Sequence, residues 1–278
     1  MKTIVTHISP DLDAITSVWL IVRFLQGWDQ AELQFVPAGT TLNSAPPDED
    51  PDIIHVDTGL GKFDHHQLTE RTSAASKVYD YIQEHGSLRK SNIEALERII
   101  DVVTLYDNFG EVHLTDPASD IYNFSLNEII YGMKSVTQNN HHTVLNMLPM
   151  LDALLINMKV KVSAESELNK GVTLQTRWGR TLIVESSNDE VLKLGLKSGY
   201  TLVARRDPER EYIRIKSFPN SDYDLTPLYE IIKKKDSKAS WYLHSSKNML
   251  LNGNYQDGET KKPSRLSLSE LIAIITKT

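Results

Sequence analysis

Residues 2–13 read KTIVTHISPDLD, and this stretch decides the fold that we expect. The β-branched run from Lys2 to Thr6 predicts a buried strand that stops at His7, and the apolar periodicity of residues 14–25 predicts a helix. A strand that leads directly into a helix is the first half of a βαβ unit, whose strands are parallel. Polar residues at the end of such a strand lie at the carboxyl edge of the sheet, where open α/β folds bind ligands.

The same alternation continues along the chain. Strands are predicted at residues 32–37 and 53–56, and helices at residues 73–85 and 91–106. A long helical stretch is predicted at residues 118–165. From about Lys170 onward, strands and helices alternate again. We therefore expect an α/β protein in two domains. Residues 1–165 would form a doubly wound parallel-sheet catalytic domain with a helical connection, and residues 166–278 a smaller α/β substrate-binding domain.

Composition limits the kind of site that the chain can carry. Of its 278 residues, 40% are hydrophobic and 24% are charged, which is typical of a packed globular protein. There is no cysteine, so disulfides, thiolate zinc sites and a cysteine nucleophile are excluded, and a metal would need His and carboxylate ligands. The first residues lack a signal-peptide pattern, and no apolar stretch approaches the roughly 18 residues of a membrane span. We therefore expect a cytoplasmic protein with no membrane partner.

Charge is unevenly distributed between the two halves of the chain. Residues 1–165 carry 11 Lys and Arg against 23 Asp and Glu, whereas residues 166–278 carry 19 against 14. An acidic half suits bound cations, and a basic half suits an anionic substrate. The alternative is that surface charge simply varies along the chain.

The informative polar residues follow predicted strand and helix ends. They are His7, Asp11 and Asp13 in an H-x3-D-x-D pattern, then Asp57, then Asp64, His65 and His66, and finally Asp107 with Asn108. Taken singly, Asp11 or Asp13 suits a helix cap and Asp57 suits a turn before Gly59. Taken together, imidazole and carboxylate ligands favour Mn, Fe, Co, Zn or Mg, and two such metals sharing a carboxylate can polarise a phosphoryl group. The pattern therefore predicts a catalytic metal centre.

Candidate substrate-binding residues lie in the basic half. Arg205 and Arg206 lie between predicted strands, where they could reach an anion, although exposed hairpin ends carry arginine routinely. The segment WYLHSSKNMLLNG, residues 241–253, places His244 and Lys247 where a phosphate or a base could be met. The alternative for this segment is a core strand with an ordinary turn.

Several of these motifs resemble a known superfamily. PDLDA at residues 10–14 and DHH at residues 64–66, with a strand-end Asp between them, resemble the DHH phosphoesterases. VDTG, KFDHHQ and YDNFG, at residues 56–59, 62–67 and 106–110, are most similar to the melanocyte-proliferating-gene 3′–5′ exonucleases. The resemblance covers about residues 3–110, and it implies two divalent cations, with Mn²⁺ expected first and Mg²⁺ or Co²⁺ as alternatives.

The resemblance also implies a role for each site residue. His7 and Asp11 would hold the first metal, Asp13, His65 and Asp107 the second, and Asp57 would bridge the two. His66 would donate to a substrate phosphate, Asp64 would orient a histidine from behind the ligands, and Asn108 would lie near the scissile group. The nucleophile would be an activated water molecule and not a side chain.

The expected activity is hydrolysis of phosphodiester bonds, as an exonuclease or oligoribonuclease acting on short single-stranded RNA or small nucleotides. The sequence lacks the family's GGGH element, and the interval from Asp57 to Asp64 is shorter than in its pyrophosphatases, which leaves the substrate open. The alternatives are an inorganic pyrophosphatase or small-molecule phosphomonoesterase, or a catalytically silent nucleotide-binding sensor. The oligomeric state is also left open, with a homodimer as one alternative.

Overall fold

A computed structural model describes residues 1–253 and 262–278. The chain divides into two units, Met1–Lys159 and Val160–Thr278. The division falls inside one helix, α5 (Asn140–Leu168), which also continues through the domain boundary predicted at residue 165. The helical connection is therefore an unbroken helix, and its Pro149 does not end it.

The first unit is built on a parallel sheet flanked by helices. The strands and α-helices that precede α5 are β1 (Thr3–His7), α1 (Leu12–Phe24), β2 (Glu32–Val36), β3 (Ile53–His55), α2 (Ala74–His85), α3 (Lys90–Asp107) and α4 (Leu126–Thr137). The strand order is β2-β1-β3, with both pairings parallel. The predicted α/β class with a parallel sheet is confirmed. Because the chain places β2 and β3 on opposite sides of β1, the order reverses at β1, and such switch points are where open sheets bind ligands.

Helix α1 fixes this sheet to the rest of the unit. Its residues 12–21 are all buried, because α2, α3 and α4 pack against it. Trp19 is fully buried, and its Nε1 donates to Asp152 Oδ1 on α5 at 2.8 Å. Arg23 pairs with the same carboxylate at 3.0 Å. Truncating a buried tryptophan costs about 3–5 kcal/mol, so Trp19 contributes substantially to fixing α1 within the unit.

Helix α5 corrects one expectation from the sequence. An 18-residue window within its 29 residues is apolar enough to cross a membrane by length and composition, whereas no such stretch was expected. In the structure, however, part of this helix belongs to the first core, where Val144, Met147 and Leu151 are buried. The absence of a membrane partner therefore stays a prediction.

The second unit is a smaller α/β module, as predicted. Its elements are β4 (Val172–Thr176), β5 (Gly179–Glu185), α6 (Glu190–Lys197), β6 (Leu202–Arg206), β7 (Ile213–Ser217), α7 (Thr226–Lys235), β8 (Trp241–Leu243), β9 (Met249–Asn252) and α8 (Leu268–Lys277). The six strands follow the order β4-β5-β6-β7-β9-β8, and only β5 and β6 pair in parallel. Helix α6 makes that one crossover, and α7 and α8 contribute Leu228, Ile232 and Leu271 to a second core.

Candidate metal centre

The centre begins at the switch point of the sheet. His7 is the last residue of β1, and Asp57 lies two residues beyond the end of β3. Because these strands are parallel neighbours, the two side chains meet, with His7 Nε2 3.2 Å from Asp57 Oδ2. Asp57 has a φ of +54°, a left-handed conformation that is strained for a non-glycine residue. Strain of this kind concentrates at functional sites.

A compact turn brings His65 back to Asp57. Asp57 N donates to Phe63 O at 3.0 Å, and Leu60 N donates to Asp64 Oδ2 at 2.8 Å. Gly59 has a φ of +82°, and a Cβ there would lie 2.8 Å from Thr41 Cγ2, so glycine is required on both grounds. The turn leaves His65 Nε2 3.5 Å from Asp57 Oδ1. The short interval seen in the sequence is therefore what places the histidine at the centre.

The two acids ahead of α1 combine a structural and a site role. Asp11 Oδ1 accepts from Ala14 N at 3.0 Å and caps α1, while Asp11 Oδ2 lies 3.8 Å from His7 Nε2. Asp13 is buried, and its two oxygens accept from Ala74 N and Ala75 N at 2.7 and 2.8 Å. These donors belong to the first turn of α2, which favours a negative charge. Helix capping and ligation are thus not exclusive alternatives for these residues.

The residues predicted as ligands converge as two adjoining triads. One contains His7, Asp11 and Asp57, and the other contains Asp13, His65 and Asp107; within each triad the ligand atoms lie within 4.8 Å of one another. His65 Nε2 is 3.6 Å from Asp13 Oδ2 and 3.3 Å from Asp107 Oδ2. Asp57 presents Oδ2 to the histidine of the first triad and Oδ1 to that of the second. It therefore lies between the two groups, as a bridging carboxylate would.

Two atoms of the centre indicate that it is built for cations. Asp57 Oδ1 and His65 Nε2 are buried and make no hydrogen bond among the described residues, although they lie at ion-pair distance, 3.5 Å, from one another. Buried polar atoms are nearly always paired, so each such atom calls for an explanation such as a bound ion. Imidazole and carboxylate donors are those that Mn²⁺, Zn²⁺ and related divalent ions accept. The residues present fit a pair of divalent cations.

The electrostatics of the centre are unbalanced. Burial, reinforced by the charges of Asp57 and Asp107, raises the pKa of Asp13 well above its ordinary range, although it accepts from two backbone N–H groups. Burial also raises the pKa of Asp107 to about 6. For His7, burial alone would lower the pKa, but the contact with Asp57 and the bond to Ile8 raise it to about 9. A cluster of four carboxylates and two imidazoles thus retains protons, and bound metal would displace them.

His66 and Asp64 lie beside these triads. Asp64 is buried, and its Oδ1 accepts from His66 N at 3.1 Å and from His66 Nδ1 at 2.8 Å. The His66 ring is 60% exposed, so Asp64 fixes its orientation while its other nitrogen remains accessible. His66 lines an open cavity of about 390 Å³ together with His7, Asp11, Asp57 and Asp107. Asp64 therefore holds the His66 ring through these two contacts, and its predicted orienting role at a catalytic site stays a prediction.

Residues 4–158 match the sequence model of a family described as ChrB, C-terminal domain. The chain belongs to this family. The matched residues cover nearly all of the first unit, Met1–Lys159, and include every residue of the two triads. No curated protein sequence matches the chain.

Solved structures also match the chain over nearly its whole length. An uncharacterized protein from Helicobacter pylori strain G27 is 14% identical with a TM-score of 0.28, covering 100% of this chain and 99% of that one. The pGpG-specific phosphodiesterase PggH from Vibrio cholerae is 13% identical with a TM-score of 0.33, covering 99% and 98%. The DHH domain of a member of the S1p family of ribosomal proteins is 10% identical with a TM-score of 0.36, covering 99% and 86%. These TM-scores are too low to assign chemistry, and closeness to the melanocyte-proliferating-gene exonucleases stays a prediction.

The side chain of Asn108 anchors the end of α3. Its Nδ2 donates to Thr72 O and Thr104 O, each at 2.9 Å, and lies 3.3 Å from Asp107 Oδ2. The side chain therefore connects the end of α3 to the segment before α2 and supports Asp107. Its predicted place beside a scissile bond stays a prediction.

Lys134 is a neighbour of the centre that the sequence did not indicate. On α4, its Nζ donates to Ser9 O at 3.0 Å, and burial lowers its pKa although the charge of Asp11 opposes that shift. No local motif connects residues 125 positions apart, so only the fold reveals this contact.

The structure corrects the prediction that Arg205 and Arg206 reach an anion. Arg205 is 3% exposed, pairs with Asp189 and Asp207, and donates to Ser186 O at 2.8 Å. Arg206 pairs with Glu185 at 2.6 Å and donates to Leu266 O at 2.9 Å. Both guanidinium groups pair with acids of the second unit itself, because Glu185 ends β5, Asp189 precedes α6 and Asp207 follows β6.

The segment at residues 241–253 contains the last two strands of the second sheet. It forms a β8–β9 hairpin with His244 and Lys247 in its turn. His244 Nδ1 lies 2.8 Å from Ser246 Oγ, and Lys247 Nζ pairs with Asp224 Oδ2 at 3.1 Å. The ordinary-turn alternative describes this segment, and substrate binding by these two residues stays a prediction.

Proposed function

We propose that the chain is a divalent-metal-dependent phosphodiesterase that acts on short single-stranded RNA or small nucleotides. The observation that carries this proposal is the position of Asp57, whose two oxygens face the histidines of two separate triads. One carboxylate shared between two ligand groups is the arrangement of two-metal hydrolytic sites. The resemblance of the sequence motifs to DHH phosphoesterases supports the same reaction.

Each residue of the centre would have a definite task. His7, Asp11 and Asp57 would hold one cation, and Asp13, His65 and Asp107, with Asp57, the other. Bound divalent cations supply charge neutralisation at phosphoryl oxygens and lower the pKa of water. His66, fixed through Nδ1 by Asp64, would donate from Nε2 to a phosphoryl oxygen and stabilise its charge in the transition state.

An exposed aromatic ring supports a nucleotide substrate over pyrophosphate. Phe109 is 76% exposed and follows directly after Asp107 and Asn108. Its φ of +53° is strained for a bulky side chain, and holding it there needs a compensating role. Stacking of a base on an aromatic ring contributes about 1–3 kcal/mol without sequence preference. Phe109 would therefore hold a nucleobase beside the metal centre.

The test is hydrolysis of a short 5′-labelled RNA by purified protein, with pyrophosphate in parallel, in Mn²⁺, Mg²⁺, Co²⁺ and EDTA. We expect metal-dependent shortening of the RNA that falls by about 10³-fold in Asp57→Ala, because such electrostatic groups contribute on that order. The matched control is Asp101→Ala, which removes an exposed carboxylate from α3 of the same unit.

Each other outcome of this experiment indicates a different function for the chain. Phosphate release from pyrophosphate alone would make the chain a pyrophosphatase. Tight nucleotide binding in Mn²⁺ without turnover would make it a sensor, an outcome disfavoured by the complete set of ligand residues. RNA shortening that persists in EDTA and in Asp57→Ala would contradict the metal-dependent mechanism.

A further inference from the structure

A second cavity adjoins the metal centre. It has a volume of about 370 Å³, and His66 lines both this cavity and the one over the triads. Its other polar lining includes Arg71, Asn108 and His113. One end of a substrate could therefore lie here while its scissile phosphate lies at the metal centre.

Arg71 is the main charged group of this second cavity. It is exposed, and across residues 1–253 and 262–278 it has neither a hydrogen bond nor an ion pair. This differs from Arg23, which a carboxylate holds at 3.0 Å in the same unit. Glu70 also lines the cavity but does not pair with Arg71. The guanidinium group is thus free to meet an external anion.

The guanidinium group of Arg71 lies against the backbone at Gly110. A Cβ on Gly110 would lie 2.5 Å from Arg71 Nη2, so the flexible end of Arg71 would have to move if this residue carried a side chain. The absence of a side chain at Gly110 therefore allows Arg71 to lie directly against the chain that follows Asp107.

We infer that this cavity binds a second phosphate group of the substrate, with Arg71 as its anchor and His113 as an additional donor. The inference rests on the proposed phosphodiesterase activity. A guanidinium group presents paired N–H donors that match two phosphate oxygens. The substrate class is thereby narrowed to short nucleotides that carry a phosphate beyond the scissile one, such as phosphorylated dinucleotides.

The test compares two dinucleotides, ApA and its 5′-phosphorylated form pApA, as substrates in Mn²⁺. Wild type should prefer pApA in kcat/KM by about 10- to 100-fold, since a hydrogen-bonded charged group contributes that much. Arg71→Ala should abolish the preference mainly through KM, and Arg71→Lys should retain part of it, because lysine keeps the charge without the paired donors. Thermal unfolding of each variant checks that it is folded.

Arg89→Ala is the matched control. Arg89 is likewise exposed, but it precedes α3, whereas Asp107 is the last residue of that 18-residue helix. The two ends are about 27 Å apart at 1.5 Å per residue. Arg89→Ala should keep the preference for pApA.

Two further outcomes separate this inference from the proposed function. If Arg71→Ala lowers turnover of both dinucleotides equally and keeps the preference, the anchor is assigned wrongly while the phosphodiesterase stands. If wild type hydrolyses neither, the proposed function fails, and calorimetric titration of pApA and ApA in EDTA decides the anchor. Tighter binding of pApA by wild type than by Arg71→Ala would support the phosphate site, and equal binding would overturn it.

Discussion

The two units each contain a cluster of charged side chains, and the clusters differ in their balance. In the first unit, Asp11, Asp13, Asp57 and Asp107 surround two histidines. In the second unit, Arg205 and Arg214 contact Asp189, and Arg205 also contacts Asp207, so that two cations meet two acids. Both clusters are composed of charged side chains drawn from several elements, but in the first the carboxylates outnumber the histidines of the two triads by four to two.

The difference shows how a binding site can be told from a structural ion pair. Burying a charge is costly unless it is paired, so a balanced cluster is complete within the protein. A cluster with an excess of carboxylates needs protons or metal ions from solution to offset their charge. Charge balance therefore indicates a role in ligand binding for the first cluster and a role in folding for the second.

The largest effect is expected from breaking the balanced cluster. Arg205→Ala removes the cation that faces Asp189 and Asp207, and loss of one partner from a buried pair costs about 3–5 kcal/mol. We expect the lower end, about 3 kcal/mol, because Asp207 Oδ1 also accepts from Glu209 N and Arg210 N. Urea unfolding followed by both fluorescence and circular dichroism would measure this and reveal whether the units unfold separately.

Arg205→Met is the control for this experiment. It fills similar space without a charge, and apolar replacements of buried ion pairs are tolerated better than truncations when packing is kept. A destabilisation below about 0.5 kcal/mol in Arg205→Ala would contradict the structural role, since changes of that size are typical of surface sites.

The sequence predicted the first cluster far better than the second. His7 and Asp57 end neighbouring parallel strands, so the rule that ligands gather at the carboxyl edge was sufficient to bring them together. One of the two acidic partners of Arg205, Asp189, lies 16 positions earlier, and nothing in the local pattern connects them. The fold class follows from strand and helix periodicity, whereas pairing across a sheet depends on register and on helix placement.

The limits within the first cluster have the same cause. The turn residue predicted at Asp57 is indeed in a left-handed conformation, and Asp11 is indeed a helix cap. What the sequence did not provide were contacts between distant elements, such as that between Lys134 and Ser9. Arg71 lies in the loop before α2, where arginine is unremarkable in sequence, and only the cavity beside it singles it out.

A smaller effect on stability, of opposite sign, is expected when one carboxylate charge is removed from the acidic cluster of the first unit. Asp107 has its pKa raised to about 6 by burial and by nearby carboxylates. Its folded pKa exceeds its unfolded one, so its contribution is favourable at low pH and is lost as pH rises from about 4 through 6. In EDTA at pH 7.5, Asp107→Asn should therefore be about 1–2 kcal/mol more stable than wild type, with no difference near pH 4.

Metal should reverse this order of stability. Ligands that bind only the folded state stabilise it, so Mn²⁺ should raise the unfolding temperature of wild type more than that of Asp107→Asn. Thermal unfolding from pH 4 to 7.5, with and without Mn²⁺, measures both effects, and Asp101→Asn provides an exposed control on the same helix. If Asp107→Asn is the less stable protein in EDTA at pH 7.5, the cluster is not held under charge repulsion.

The smallest effect on stability is expected at Arg206, the residue next to Arg205 of the balanced cluster. Arg206 pairs with Glu185, directly opposite on β5, but the Glu185 carboxylate is 44% exposed. Ion pairs that water reaches contribute about 0.2–1 kcal/mol and weaken with salt. A double-mutant cycle of Arg206→Ala and Glu185→Ala should therefore give a coupling of about 0.5 kcal/mol that declines from 0.05 to roughly 0.5 M NaCl. The destabilisation in Arg205→Ala should weaken less over the same salt range, because Arg205 and Asp207 are 3% and 2% exposed and ions do not reach that pair. The Arg206 coupling could instead prove as large and as insensitive to salt as the effect at Arg205. That result would show that burial does not determine the strength of these two ion pairs, and Arg206 with Glu185 would then have to be counted in the balanced cluster.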